Sequence, residues 1–297
     1  MKRKLSLEDI GVGVFAYSFL IIFSLLCLLP FLVIISGSFT KESAILEKGF
    51  SLIPPEFSLD AFKAVFAIPK NIINAYIVTI FVTTVGTFLS VFLSTLAAYV
   101  LQKKDFKYRN FFAFYFYFTT IFSGGIVPWY ILMTQYLHMK NNILALILPG
   151  LFNVFNLIII RSFISSSIPS AIVESAQIDG ASEWHIFFKL ILPLSKPILA
   201  TIGLFTALGY WNDWFNAMLF IDKQSLMPLQ YYLYKMLSQI SMLRTLVAQV
   251  PQMTAVTPPE ESFKMAMTVI TIGPILLLYP FVQKYFVTGI MIGAVKE

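Results

Sequence analysis

The 297-residue chain is poor in charge, cysteine and histidine, and each shortage excludes something. Asp, Glu, Lys and Arg make up only 12% of it, too little to cover the surface of a soluble domain of this length. A polytopic membrane protein is the leading class. The single cysteine, Cys27, lies inside an apolar run, so an intrachain disulfide is impossible and a small packing residue is the simplest role. The two histidines, His138 and His185, stand apart without partners at ligand spacing, which leaves no metal site. No GxxxxGK[ST] phosphate loop occurs, so the chain cannot hydrolyse ATP by that route.

What is present is apolar: 58% of residues are hydrophobic and the mean hydropathy is +0.80. A helix needs ~20 largely apolar residues to cross a bilayer. We read six such spans, at about 12–38, 72–101, 111–137, 143–164, 197–220 and 264–283, in an all-α polytopic fold. The first follows the basic tripeptide Lys2–Lys4. It is too long for a cleaved leader, although the small residues Ser36–Ser38 would suit cleavage. The connector "QKKDFKYRN" gathers Lys103, Lys104, Lys107 and Arg109, so the positive-inside rule places it in the cytoplasm. Counting outward gives an N-in, C-in arrangement with long outer loops at 40–71 and 222–262. The net charge of +6 is explained by these flanking clusters rather than by nucleic acid.

The outer loops carry local signals. In "IPPEFSLDAFKAVF" Ser58 can cap a short helix starting at Leu59, and "LQYYLYKMLSQISMLRTLVAQV" reads as an amphipathic helix before the turn "TPPEES". Loops this long are usually functional or partner-binding, a plain surface loop being the alternative. No repeat or low-complexity tract divides the chain, which reads as one domain over 1–297.

The span cores read as free of Asp, Glu, Lys and Arg, with Asp213 nearest, toward the outer end of the fifth. A carrier driven by protons or sodium normally needs such groups within the membrane. With neither an ion relay nor a nucleotide site, active transport would have to draw energy from another subunit. A channel, a stand-alone carrier without ATP, or a structural membrane protein is the alternative.

Between the fourth and fifth spans lies a polar elbow, 169–193. Pro169 suits the first turn of a helix, Gly180 a left-handed stop, and Ser182 the cap of a second helix with Glu183 in its first turn. Trp184, Phe187, Phe188 and Ile191 fall on one stripe, Pro193 ends that helix, and Ser195 can cap the fifth span. An interfacial amphipathic helix has a similar stripe. The compact Glu–Ala–Asp–Gly tip is what points to a rigid knob for a soluble partner.

Glu174, Ala176 and Gly180, followed by Leu192 and Pro193, resemble the EAA signature of binding-protein-dependent ABC importer permeases. That signature runs Glu-Ala-Ala, three residues, Gly, nine residues, then Ile-x-Leu-Pro; Ser175 and Leu190 are the two departures. The six-span layout with the motif between spans four and five is similar to the carbohydrate-uptake, maltose-type permeases. "FSGGIVPWYIL", Phe122–Leu132, resembles a segment of permeases for complex oligosaccharides. Independently of that likeness, Gly124, Gly125 and Pro128 would kink the third span.

The resemblance implies a second, homologous permease, two cytoplasmic ATPase subunits and an extracellular solute-binding protein. It also implies that ATP and Mg bind the ATPases and no cofactor binds this chain, a non-catalytic subunit of a bacterial cytoplasmic (inner) membrane. The expected docking residues are Glu174, Ser175, Ala176, Gln177, Asp179 and Gly180, and the loop 222–262 is expected to meet the binding protein.

Sugars bind aromatic faces and fixed amides in an apolar wall. The pathway candidates are Asn153 and Asn156 as buried amides of span four, with Trp211, Asn212 and Asn216 in span five. Asn212 and Asn216 are expected on one helical face, with Trp211, Trp214 and Met218 on the next. Interhelical glue for the two span-four amides, and interfacial anchoring for Trp214, are the alternatives.

Overall fold

A computed structural model describes residues 7–249, 259–274 and 276. The basic tripeptide Lys2–Lys4, residues 250–258 of the second outer loop and most of the sixth span beyond Pro274 lie outside the described residues. The described residues fall into two compact units, one built from those up to Pro69 together with Lys235–Pro274, the other from Lys70–Tyr234.

In the first unit, α1 (Leu7–Ser38) is a single helix whose apolar stretch Gly11–Ser38 is long enough to cross a membrane; none of its most apolar window is buried. Two short helices follow, α2 (Glu42–Lys48) and α3 (Asp60–Val65). The second of these helices begins one residue later than expected, so its N-cap position is Leu59 and not Ser58; the Ser58 Oγ still accepts the Asp60 N–H at 3.0 Å from one residue further out. The α2 carboxylate of Glu42 caps the helix over 261–274. It accepts the N–H groups of Glu260 and Glu261 at 3.0 Å and of Ser262 at 2.9 Å, and the Ser262 hydroxyl at 2.8 Å. Four donors on one carboxylate satisfy much of that helix end. Partial burial alone would raise its pKa, but these bonds outweigh it and hold the carboxyl below its usual 4.5.

The second unit is built round α4 (Pro69–Gln102), which matches the expected second span and is long enough to cross alone. The next two expected spans are bent and the one after them is broken. The third is α5 (Arg109–Ile121) and α6 (Ile126–Ile131), which runs on as a π turn over Leu132–Tyr136, with a bend of 112° between the two. The break falls on Ser123–Gly125, where Gly125 has φ +87°, a conformation open to glycine. Pro128 sits in the first turn of α6, where its missing N–H costs nothing. The fourth is α7 (Leu144–Ile147) with a 3-10 turn over Leu148–Gly150, then α8 (Val154–Ser167), bent by 49°. Pro149 and Gly150 interrupt the helix, and Asn153 restarts it by accepting the N–H groups of Phe155 at 2.9 Å and Asn156 at 3.2 Å. This restart places Arg161 in the middle of α8, so the fourth span is not free of charge as expected.

The elbow is α9 (Ser170–Ile178) and α10 (Glu183–Ile186), the latter continuing through a π turn over Phe187–Ile191 into α11 (Leu192–Leu194). Pro193 therefore does not end the helix. It has no N–H to donate, and the wider turn just before it carries the chain past that missing bond. Ser195 caps nothing: its backbone is helical and its hydroxyl is buried without a partner among the described residues. Then come α12 (Lys196–Trp211), α13 (Phe215–Phe220) and α14 (Leu229–Gln249). The fifth expected span thus stops at Trp211. The Asp213 carboxylate draws the Asn216 N–H at 3.0 Å and its Nδ2 at 2.8 Å, starting a new helix instead of extending the old one.

The core of this unit joins Ala98 and Tyr99 of α4, Ile160 and Ile164 of α8, Ile186, Phe187 and Ile191 of the elbow, and Ile202 of α12. Each such side chain is worth ~1.5–3 kcal/mol when fully buried. The elbow's second helix is therefore rooted in three other helices.

Candidate functional site

The first constellation is the elbow tip. Gly180 adopts φ +79°, its N–H bonding the Gln177 carbonyl at 3.0 Å while the Ala181 N–H reaches the Ala176 carbonyl at 2.9 Å. These are the paired bonds of a Schellman motif, and they satisfy the Ala176 and Gln177 carbonyls at the end of α9. Ser182 then caps α10, accepting the His185 N–H at 3.3 Å as expected. The predicted stripe divides: Phe187 and Ile191 are buried, while Trp184 and Phe188 are exposed and stacked at 6.0 Å. The π turn rotates the stripe, so a regular helical count fails after Ile186.

Of the six expected docking residues, Glu174, Ser175, Gln177, Asp179 and Gly180 are exposed. Ala176 is the exception; it is half-buried and packs on the core, so it roots the tip rather than covering it. The sequence reading missed Ile178, which is 86% exposed at the last turn of α9. Ile178 adds one apolar side chain to an otherwise polar tip. Gln177 also reaches Glu183, its Nε2 donating to Oε1 at 3.5 Å. Glu183 is itself tied to α4. Its Oε2 accepts the Tyr99 hydroxyl at 2.8 Å and pairs with Lys103. A cavity of about 240 Å³ beside this tie is lined by Lys103, Lys104, Asp105, Glu174 and Gln177 among others.

The second constellation is a cavity of about 490 Å³ at the breaks in spans four and five. Asn153, Asn156, Thr206, Asp213 and Asn216 supply its polar atoms, and Phe155, Phe205 and Tyr210 its aromatic surface. The structure thus brings three of the five pathway candidates together. Asn156 is buried and its Nδ2 donates to Thr206 Oγ1 at 3.2 Å, so it also glues α8 to α12. Asn153 is an exposed cap and not the buried amide expected. Trp211 and Asn212 do not line the cavity. Asn212 closes α12, donating to the Leu208 carbonyl at 2.9 Å and accepting from Gln230 at 3.0 Å. With the helix broken at Asn212, that residue and Asn216 share no helical face. Trp214 stacks on Tyr234 at 4.8 Å.

Tyr210 was overlooked in the sequence, yet it sets the shape of this site. Its hydroxyl donates to the Ile147 carbonyl at 2.7 Å, bracing the broken fourth span. A Cβ on Gly86 would lie 2.5 Å from the ring and one on Gly150 2.8 Å, so both glycines exist to admit it. Asp213 is the only Asp, Glu, Lys or Arg among the described residues lining the cavity. The site can therefore offer amides, a hydroxyl, one carboxylate and aromatic faces, a set suited to hydroxyl-rich ligands.

No protein-family model matches the chain. It is 41% identical over 280 residues to the polygalacturonan/rhamnogalacturonan transport system permease protein YtcP of Bacillus subtilis, covering 94% of this chain and 96% of that one. It is 43% identical over 270 residues to protein LplC of the same organism, covering 91% and 89%. The arabinooligosaccharides transport system permease protein AraQ of Halalkalibacterium halodurans is 28% identical, with 100% of both chains covered. Among solved structures, a bacterial ABC transporter involved in the import of the acidic polysaccharide alginate superposes with TM-score 0.78 at 30% identity, covering 96% of this chain and all of that chain. The fold and these likenesses are those of an ABC importer permease. The chain belongs to the family of sugar ABC transporter permeases.

Proposed function

We propose that this chain is one half of the translocation pathway of an ATP-driven, binding-protein-dependent importer of oligosaccharides in a bacterial cytoplasmic membrane. Its partners are a second, homologous permease, two ATPase subunits that bind ATP and Mg, and an extracellular solute-binding protein that meets the loop 222–262. The chain crosses the membrane six times with both ends in the cytoplasm, the bent pairs each counting as one span. It performs no hydrolysis of its own.

The observation that carries this reading is the elbow: an exposed tip closed by a Schellman turn, standing on a root packed into α4, α8 and α12. Glu174, Ser175, Gln177, Asp179 and Gly180, with Ile178 at the centre, present a mixed polar and apolar knob to a groove on the ATPase. The knob is stiff, so displacement of its tip becomes displacement of the helices holding the root. Asn153, Asn156, Asp213, Asn216 and Tyr210 line the passage for sugar hydroxyls. The names of the relatives, a polygalacturonan/rhamnogalacturonan permease and an importer of the acidic polysaccharide alginate, support polysaccharide fragments as the substrate class.

The test is isolation from the native membrane followed by reconstitution. An ATPase and a second permease should co-purify, and uptake of oligogalacturonides into proteoliposomes should need ATP. Gly180→Asp should abolish uptake with assembly intact. Flux through liposomes holding this chain alone, without ATP, would instead establish a stand-alone carrier or channel.

A further inference from the structure

The elbow is covalently continuous with α8 and α12, but not with α4, whose last residue, Gln102, precedes the first of α9, Ser170, by 68 positions. Motion of the tip reaches α8 and α12 through the peptide chain. It reaches α4 only through noncovalent contact. Part of that contact is apolar: Tyr99 lies against Phe187, ring centroids 5.8 Å apart, within the shared core. Apolar contact is non-directional and lets two surfaces slide. The polar part is directional. The Glu183 carboxylate takes the Tyr99 hydroxyl at 2.8 Å, pairs with Lys103 just beyond the end of α4, and receives the Gln177 amide from α9. Lys103 Nζ also lies 5.2 Å from the centroid of the Tyr99 ring, so the lysine is held from two sides.

We infer that Glu183 is a positioning residue that locks the register of the elbow against the C-terminal end of α4, so that α4 moves with the elbow as one body. The inference rests on the coupling role proposed above and adds a second route to it. One carboxylate joins α9, α10 and α4. Its place at the first position of α10, immediately after the glycine turn and the Ser182 cap, leaves it little freedom to follow anything but the elbow. The Glu183 side chain is 54% exposed and that of Lys103 25%. A pair so open to water adds little to fold stability, so its removal tests register rather than folding.

The experiment uses the assembled importer with Cys27→Ser and spin labels on cysteines at Asp105 and Lys189, beyond α4 and on the elbow. Pulsed electron resonance is read without nucleotide and with the complex trapped by ATP and vanadate. A second labelled pair, Lys140 and Lys189, reports whether the elbow moves at all. The expected result is a shift between states for the second pair and an unchanged, narrow distance for the first. In Glu183→Gln the first distance broadens or splits on trapping, and Lys103→Glu with Glu183→Lys narrows it again in part. Tyr99→Phe, which removes one hydroxyl, broadens it less and serves if the Glu183 variant fails to assemble. A 105–189 distance that changes in the otherwise unsubstituted importer, or that stays narrow in Glu183→Gln and Tyr99→Phe, overturns the tie. A motionless second pair overturns the coupling role itself.

Discussion

The elbow and the polar cavity each depend on glycine, for opposite reasons. Gly180 has open space where a Cβ would stand and a backbone that only glycine adopts easily. Gly86 has no such backbone demand, but a tyrosine ring occupies the space where its Cβ would go. The elbow is thus a local object, made by neighbours in sequence that close a turn. The cavity is a distant one, made by the Leu148–Gly150 turn, the start of α8 and α12, with α4 packing at Gly86 on its Tyr210 wall. The difference teaches which site tolerates change: the turn can absorb strain by fraying, whereas the packed ring has nowhere to move.

Substitutions can break this contrast. The largest effect is expected at the cavity. Gly86→Val or Gly150→Val should cost ~1–3 kcal/mol through overpacking, read as a lower unfolding temperature in detergent, with uptake near background. Adding Tyr210→Ala should restore part of the stability, since the clash is with that ring. If the single variants unfold like the parent chain, the ring is not confined as described. Next comes Asp213→Ala, which removes the cavity's carboxylate and the start of α13. A hydrogen bond to a charged group is worth ~1.5–3 kcal/mol, so apparent KM for uptake should rise about tenfold or more. Asp213→Asn, which leaves an oxygen for the Asn216 N–H, should retain the helix start and separate the two roles.

Gly180→Ala should be milder. The left-handed backbone costs an L-residue roughly 1–2 kcal/mol, and no neighbour is struck. Uptake should fall a few-fold with normal assembly, in contrast to Gly180→Asp. An alanine variant as inactive as the aspartate would mean that the left-handed conformation, not the bulk or charge of the aspartate, governs the tip.

The smallest effect is expected at Glu42. Its folded pKa lies below the ordinary 4.5, so its contribution is fully present above that value and is lost as pH falls through the folded one. Glu42→Gln should therefore lower the unfolding temperature at pH 7, and the gap to the parent should close in acid. An unchanged gap at low pH would remove the carboxylate from the account.

How much of this was legible follows the same division. The glycine stop and the Ser182 cap were readable because their partners lie within a few residues. The first two spans were readable from length alone, α1 and α4 matching 12–38 and 72–101 closely. The kink of the third span was readable from Gly124, Gly125 and Pro128, but the breaks in the fourth and fifth were missed, although Pro-Gly flagged the first of these. In a run apolar on every face, periodicity offers no contrast with which to locate a break. Asp213 was seen as a charge near the end of a span, but not as the cap that ends it. Tyr210, with glycines at positions 86 and 150, and Glu42, with its donors at 260–262, rest on pairings that no local pattern announces.

The Glu42 carboxylate also has a bearing on biogenesis. Its donors lie 218 to 220 residues further along the chain. At ~5–20 residues/s they leave the ribosome roughly 10–40 s after the acceptor. The segment after α1 must wait for 218 further residues to be made before its partner arrives. This closure is therefore a late stitch, and a chain released before residue 260 would carry an untied α2 for quality-control proteases to find.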